Sequence, residues 1–296
     1  MVSFVSSPIA NYKAYLETIL SYNELAARTH LVGSRFKMDD DTKFGSTSAA
    51  GNVNQTARLK WFSKSNAVDF SMPLASDILR IDRYLIDRIA LDIKLSRTND
   101  QFLITQKVTD TKTYFVKIDK LALVVRHIGL KQSYVEYVNK QLDLGKRARY
   151  PLVRTVLKSR VIPTGESYTP VVDIFSGRMP SSIYFAFVKN SAFKGHKNEN
   201  AFNLQAFDIG GVSLLVNSKS FPAQRYTPSF TDDVATSKIM REYQVMNSLV
   251  QTASFLLARL TKMRLSDLPV SFIFLGNEHK SDDRRVLDLI NPPPAS

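Results

Sequence analysis

Residue types that perform catalysis or bind metals are sparse in this sequence. Its 296 residues include no cysteine, which excludes a thiolate nucleophile, a disulfide framework and a cysteine-based zinc site. The four histidines are His30, His127, His196 and His279, and none has the spacing typical of metal ligands. His127 ends an apolar run, which favours a surface or interface histidine over a catalytic one. We therefore predict no catalytic residue, no metal site and no bound cofactor, and a protein that is not an enzyme.

Two groups of carboxylates also lack the pattern of a reactive site. Asp39, Asp40 and Asp41 are consecutive, whereas an EF-hand calcium loop alternates its acidic residues and closes with Glu. Asp82 and Asp87 are interleaved with arginines in the segment IDRYLIDR, a pattern that favours surface ion pairs over an acid/base dyad. Glycine-rich phosphate loops and the G-x-S-x-G nucleophile motif do not occur.

The densest group of charges is basic and surrounds residue 150. It consists of the run KRAR and three cations that follow it: Lys146, Arg147, Arg149, Arg154, Lys158 and Arg160. Lysine and arginine neutralise nucleic-acid phosphates without reading base sequence. These six residues are therefore candidate nucleic-acid contacts. The alternative is a solvated connector between two strand-rich blocks.

The composition is that of a packed, basic protein. Hydrophobic residues make up 44% of the chain, which excludes a wholly disordered polymer, and the net charge is +13. That charge favours polyanionic partners such as nucleic acid or acidic lipid. The alternative is that the charge only keeps the protein soluble. No run of 18 apolar residues occurs, and the first residues lack the basic and apolar regions of a secretory signal. We predict no membrane span.

Helices are predicted where apolar residues recur with a period near 3.6. The segment 11–29 places Tyr12, Tyr15, Leu16 and Ile19 on one face. The segment 132–144 ends at Gly145, a plausible C-terminal cap, and a third helix is predicted over 232–259. The polar stretch 37–56 is predicted to be a loop.

Strands are predicted where apolar and polar residues alternate. The clearest case is 89–96, which reads as a half-buried strand of an antiparallel sheet. Further strands are predicted at 67–72, 101–107, 113–128, 151–162, 182–189, 204–217 and 270–276. Gly210 and Gly211 suggest a bulge in the penultimate one.

These elements predict a mainly β protein with a few inserted helices. Strands follow one another without regular β-α-β alternation, and sandwich or jelly-roll packing would bury them. Two blocks are predicted, residues 1–148 and residues 149–296.

Six segments in order resemble the major capsid protein of Polinton (Maverick) elements and adintovirus-like viruses. They are NYKAYLETILSY (11–22), DILRIDRYLIDRIALDIKLSRTNDQFLI (77–104), VKIDKLALVVRHIGL (116–130), ARYPLVRTVLKSRVIPTG (148–165), FSGRMPSSIYFAFVKNSAFKGHKNENAFNLQAFDI (175–209) and SLLVNSKSFPAQRYTPSF (213–230). The similarity covers residues 10–243 and fades beyond them.

This resemblance implies a double jelly roll, that is, two antiparallel β-sandwiches side by side. It also implies homotrimers that form pseudo-hexagonal capsomers of an icosahedral shell, with a minor capsid (penton) protein and packaged double-stranded DNA as further partners. The implied location is the virion capsid, with synthesis in the host cytoplasm and assembly in the nucleus. Compared with the family, the first jelly roll lacks its opening strands and the second diverges after about residue 243. The alternatives are a basic nucleic-acid-binding protein and a non-assembling, host-resident remnant of a transposon.

Overall fold

The structure is a computed structural model that describes residues 2–5, 8–39, 52–87, 89–164, 180, 182–205, 207, 212–216, 219–226, 270–278 and 286–288. Its helices are α1 (Pro8–Leu20), α2 (Glu24–Arg28), α3 (His30–Gly33), α4 (Val53–Phe62), α5 (Asp100–Leu103), α6 (Gln132–Asp143) and α7 (Asn190–Lys194). Short 3-10 helices span Ser63–Ser65 and Asp77–Arg80. Its strands are β1 (Val2–Val5), β2 (Leu91–Lys94), β3 (Arg149–Pro151), β4 (Arg154–Ile162), β5 (Ser182–Lys189), β6 (Val212–Val216), β7 (Lys219–Tyr226), β8 (Val270–Glu278) and β9 (Val286–Asp288).

The strands form small separate ladders. Strand β8 lies between β4 and β5 in an antiparallel three-stranded sheet. Phe274 of β8 is opposite Lys158 of β4 on one side and opposite Phe185 of β5 on the other. Strands β3 and β9 pair antiparallel, as do β6 and β7. Strands β1 and β2 pair parallel, so the antiparallel arrangement predicted for residues 89–96 is wrong. The predicted alternation of burial is confirmed over Leu91–Lys94, whereas Leu95 is 50% exposed.

The predicted mainly β double jelly roll is wrong. Within the described residues helix exceeds strand, and the ladders have two or three strands rather than the eight of each expected sandwich. The cause lies in the alternating segments. Residues 67–72 and 113–128 form no strand, 101–107 begins with helix α5, and among the described residues of the stretch 204–217 a strand spans 212–216. Residues 67–72, 101–107 and 113–128 alternate in polarity but pair with no strand among the described residues.

Other predicted elements are confirmed. Strands β4, β5 and β8 lie where 151–162, 182–189 and 270–276 predicted them. Helix α6 ends at Asp143, and Gly145 follows it as the predicted C-terminal cap. The helix predicted over 11–29 is present but broken, because Asn23 caps a new helix by accepting a hydrogen bond from the amide of Ala26 at 2.7 Å. The loop predicted at 37–56 is shortened by α4. Its residues 40–51, the helix predicted over 232–259 and the pair Gly210–Gly211 lie outside the described residues. The division near residue 148 stays a prediction.

A core cluster joins helix α1 to the three-stranded sheet. The buried members are Tyr12, Leu16, Ile19, Ala186, Val188 and Ala192. Tyr12 is the centre, with ring centroids 5.3 Å from Phe193 and 5.4 Å from Phe202. Its hydroxyl donates to the carbonyl of Ala201 at 2.7 Å, which satisfies the polar end of the buried ring, and burial raises the pKa of that hydroxyl. The periodic face predicted for residues 11–20 is thus the face that packs.

Candidate interaction surfaces

The first part of the basic cluster follows the end of helix α6. Gly145 has φ +77°, its amide donates to Leu142 at 2.9 Å, and the amide of Lys146 donates to Gln141 at 3.1 Å. This is the Schellman arrangement, which satisfies the last helical carbonyls and turns the chain sharply. Lys146 and the following Arg147 are consequently exposed just beyond the helix.

The next part of the cluster crosses strand β3. Arg149 is exposed, while the neighbouring Tyr150 is buried. The Tyr150 hydroxyl accepts a hydrogen bond from the amide of Ile86 at 3.0 Å, and the Arg149 carbonyl accepts one from Arg83 at 2.9 Å. The segment around residue 85 therefore anchors β3. Arg83 bonds to backbone here rather than to the carboxylates of IDRYLIDR.

Strand β4 separates its side chains into a basic face and a core face. Leu157 packs against the core cluster, so Arg154, Lys158 and Arg160, which have even numbers, lie on the opposite face. At about 3.3 Å per residue, Arg154 and Lys158 are about 13 Å apart along the strand, and Lys158 and Arg160 about 7 Å. We call these three residues the β4 basic face. The structure thus places half of the six predicted contacts on one side of one strand, and the other three on the turn and strand before it.

The edge of β4 is held by charged groups that are far apart in sequence. Lys13 of α1 contacts Asp77 at 2.5 Å, and the other carboxylate oxygen of Asp77 accepts from the amide of Thr155 at 2.9 Å. Nearby, Arg80 pairs with Glu17 at 2.7 Å. This network fixes α1 and the turn at 77–80 against the strand that carries the basic face. Sequence reasoning missed it because separations of 64 and 78 residues leave no local pattern.

A second polar group that the sequence did not reveal surrounds Glu199. One of its oxygens accepts from Lys189, and the other accepts from the Ser191 hydroxyl at 2.5 Å. Burial by itself raises the pKa of Glu199, but the hydrogen bonds from Lys189 and Ser191 outweigh it and hold the pKa below its usual 4.5. The arrangement joins the end of β5 to the loop after α7. The Ser191 hydroxyl donates its proton to the carboxylate, so the contact holds the loop in place.

The other candidate residues remain apart. His30, His127 and His196 are exposed, as are Asp82 and Asp87; His279, Asp40 and Asp41 lie outside the described residues. In the described part of the chain, no three histidine or carboxylate side chains are grouped so that they could hold a metal ion. No helix within the same residues is long and apolar enough to cross a membrane.

A segment between α5 and α6 exposes many large apolar side chains. Its large apolar side chains range from 46% to 94% exposed: Tyr114, Phe115, Ile118, Leu121, Leu123, Val124, Val125, Ile128 and Leu130. We call residues 114–130 the apolar segment. The sequence predicted a strand at 113–128, whereas residues 114–130 form no regular element. Their large apolar side chains are instead exposed to solvent.

Comparison with known proteins identifies no described function. An uncharacterized Caenorhabditis elegans protein is 18% identical over 222 residues, which cover 75% of this chain. The chain spans about half the length of that relative. No protein-family model matches the sequence, and no solved structure matches it.

Proposed function

We propose that this chain is a structural capsid protein of the Polinton (Maverick) type that acts by self-association and not by catalysis. The observation that carries the proposal is the exposed apolar segment 114–130. The six ordered segments that resemble the capsid family support it, and one of them, 116–130, forms most of that surface. The double jelly roll is not part of the proposal.

Leaving so many large apolar side chains exposed to water is energetically costly. Monomeric proteins rarely leave large contiguous apolar patches in water, and such patches mark interaction sites. Burying one large apolar side chain stabilises by about 1.5–3 kcal/mol. Several such side chains in one continuous stretch favour a permanent interface with a partner. A shell-forming protein needs interfaces of this kind on every subunit.

The proposed partners follow from that role. Three copies form a capsomer, capsomers contact one another, and a minor capsid (penton) protein completes the shell. Packaged double-stranded DNA faces the basic side of the subunits. The proposed location is the virion, with synthesis in the cytoplasm and assembly in the nucleus.

The test is the mass of the purified chain in solution, measured by light scattering at several concentrations and two salt concentrations. A discrete trimer, or larger regular particles, is the expected result. A monomer at all concentrations would refute assembly and leave the transposon-remnant alternative. Leu121→Ser and Val124→Ser should weaken association, because both side chains are more than 70% exposed and make no contribution to the core.

The second candidate function is binding to nucleic acid. It is favoured by a specific observation, the alignment of Arg154, Lys158 and Arg160 on one face of β4. Three cations spaced over about 20 Å of strand can contact successive phosphates. The exposed Lys146, Arg147 and Arg149 extend the same sequence region.

This function is tested by measuring DNA affinity against salt concentration. Replacing Arg154, Lys158 and Arg160 with Glu should abolish retention on DNA at moderate salt. Log affinity falls with log salt concentration by about 0.9 for each phosphate contact. Replacing the three residues with Gln should therefore make this slope less steep by about 2–3.

The matched control replaces Lys60, Lys107 and Lys194, which are exposed and lie elsewhere. If the control variant loses DNA as strongly as the β4 variant, the interaction follows net charge and the β4 basic face is not the site.

A further inference from the structure

Two contacts within the apolar segment define how its backbone is oriented. The amide of Val116 donates to Asp100 of α5 at 3.2 Å. The Lys117 ammonium lies 2.9 Å from the Asp119 carboxylate. Side chains two residues apart meet in this way when they lie on the same side of an extended chain.

The bond of Val116 occupies one position on the edge of this stretch that faces α5. As an extended strand, which the Lys117–Asp119 contact favours, the stretch has successive amides on opposite edges, so the amides of Lys117, Asp119 and Leu121 lie on the edge away from α5. Among the described residues, no group accepts a hydrogen bond from these three amides. The stretch thus presents an unpaired edge of backbone donors and acceptors, which is a template for another strand.

The side chains along that edge are complementary to themselves. Read from 115, alternate residues are Phe115, Lys117, Asp119 and Leu121. Two antiparallel copies in register about Ile118 bring each Lys117 opposite Asp119 of the second copy, and each Phe115 opposite Leu121. Opposite charges and aromatic–aliphatic pairs are the cross-strand pairs that stabilise antiparallel sheets.

We propose that residues 115–121 pair with the same residues of a second copy as an antiparallel two-stranded ladder centred on Ile118. This inference rests on the proposed function and specifies one contact of the assembly. The contact is isologous, because the same patch serves both subunits about a two-fold axis. It therefore joins subunits of neighbouring capsomers and cannot be the contact within a trimer.

The strand that pairs with residues 115–121 is a second copy of this chain, because the charges of Lys117 and Asp119 match those of the same residues in the antiparallel copy. A second copy places Asp119 opposite Lys117 and Lys117 opposite Asp119, so both charges are matched across the ladder as well as within each chain. Side-chain exposures of 78% for Lys117 and 64% for Asp119 leave both groups accessible. The 75% and 72% exposures of Phe115 and Leu121 leave the flanking pairs equally accessible.

The test uses two charge-reversal variants, Lys117→Asp and Asp119→Lys, in the full chain. Each variant alone places like charges opposite each other twice in the ladder, so its dissociation constant for the two-fold contact should rise about tenfold. An equimolar mixture of the two variants restores both opposite-charge pairs between unlike copies. Its dissociation constant should return to within twofold of wild type.

The mixture separates this contact from an internal role. The ion pair within one chain is lost in both variants, so mixing restores association only if the pair forms between copies. Lys120→Asp is the matched control, because Lys120 lies opposite Val116 in the proposed register and should change association less than twofold. Concentration-dependent mass from sedimentation equilibrium gives the dissociation constants of the wild type, the three variants and the mixture. Circular dichroism verifies that each variant keeps the wild-type fold.

The proposed register and the proposed capsid role are refuted by different results. If wild-type trimers form but mixing the two variants restores nothing, the proposed register is wrong while the capsid role stands. If the wild-type chain is monomeric at every concentration, both the register and the assembly are refuted.

Discussion

Replacing Asp77 tests whether helix α1 and strand β4 are joined through one carboxylate. Asp77 accepts from the ammonium of Lys13 at 2.5 Å and from the amide of Thr155 at 2.9 Å. The side chains of Lys13 and Asp77 are only 13% and 17% exposed, so the pair is largely removed from water. Asp77→Ala removes both bonds, whereas Asp77→Asn loses the charge but keeps an oxygen that the Thr155 amide can use.

The expected magnitudes follow from burial. Breaking a fully buried ion pair costs about 3–5 kcal/mol, and breaking an exposed one costs at most about 1 kcal/mol. This pair is nearer the buried limit, but Glu17 lies 4.0 Å from Lys13 and partly compensates the orphaned charge. An unsatisfied amide adds about 1–3 kcal/mol. We expect Asp77→Ala to lower the free energy of unfolding by about 3 kcal/mol and Asp77→Asn by about 2 kcal/mol.

Urea unfolding followed by circular dichroism measures these differences, with Asp82→Ala as the control. Asp82 is exposed, so its replacement should change stability by less than about 0.5 kcal/mol. The reasoning is refuted if Asp77→Ala is no more destabilising than Asp82→Ala. If the Asn and Ala variants lose equal stability, the bond to the Thr155 amide contributes nothing.

Two further changes address the backbone and the acid stability of the fold. Gly195 has φ +88°, and a Cβ there would lie 3.0 Å from the Cβ of Phe102, so Gly195→Ala should lower the free energy of unfolding by about 2–3 kcal/mol. In Gly129→Ala the new methyl meets open space, so the midpoint of urea unfolding should stay unchanged. Because the pKa of Glu199 is lowered in the folded state, its contribution is complete above about pH 4.5 and is lost as the pH falls through the lowered value. Glu199→Gln should therefore be less stable than wild type at pH 7, and its stability should fall less steeply below pH 4.5; equal slopes in the two proteins would contradict the assignment.

Sequence periodicity predicted helix faces well but placed helix ends poorly. Three helices begin at an asparagine whose side-chain oxygen accepts a backbone amide: Asn23 before α2, Asn52 before α4 and Asn99 before α5. In each case the sequence carries the signal, since asparagine is among the preferred capping residues. At Asn99 the cap overrides the alternating pattern that predicted a strand at 101–107. Phe102 then reaches the aromatic core from a short helix instead.

The candidate site was predictable only where its residues are neighbours in sequence. The run from Lys146 to Arg160 could be found because local charge density is visible in one segment. The division of those cations into a turn and one strand face depends on Leu157 packing against the core. The Lys13–Asp77–Thr155 network depends on long-range contacts, and no spacing rule reports them. A basic cluster could therefore be predicted, but its geometry could not.

The apolar segment shows why a strand pattern and the structure of one chain can disagree. Alternating polarity and β-branched residues indicate that a segment fits a pleated sheet, but they do not indicate which strand it pairs with. In the single chain, residues 115–121 have no hydrogen-bonded strand on their open edge among the described residues. If the pairing strand belongs to a second copy, residues 115–121 form a hydrogen-bonded strand in the assembly and have no pairing strand in the single subunit. The predicted strand then forms only when two copies pair about Ile118. Reversing the charge of Lys117 or Asp119 should therefore remove both the strand and the contact between copies.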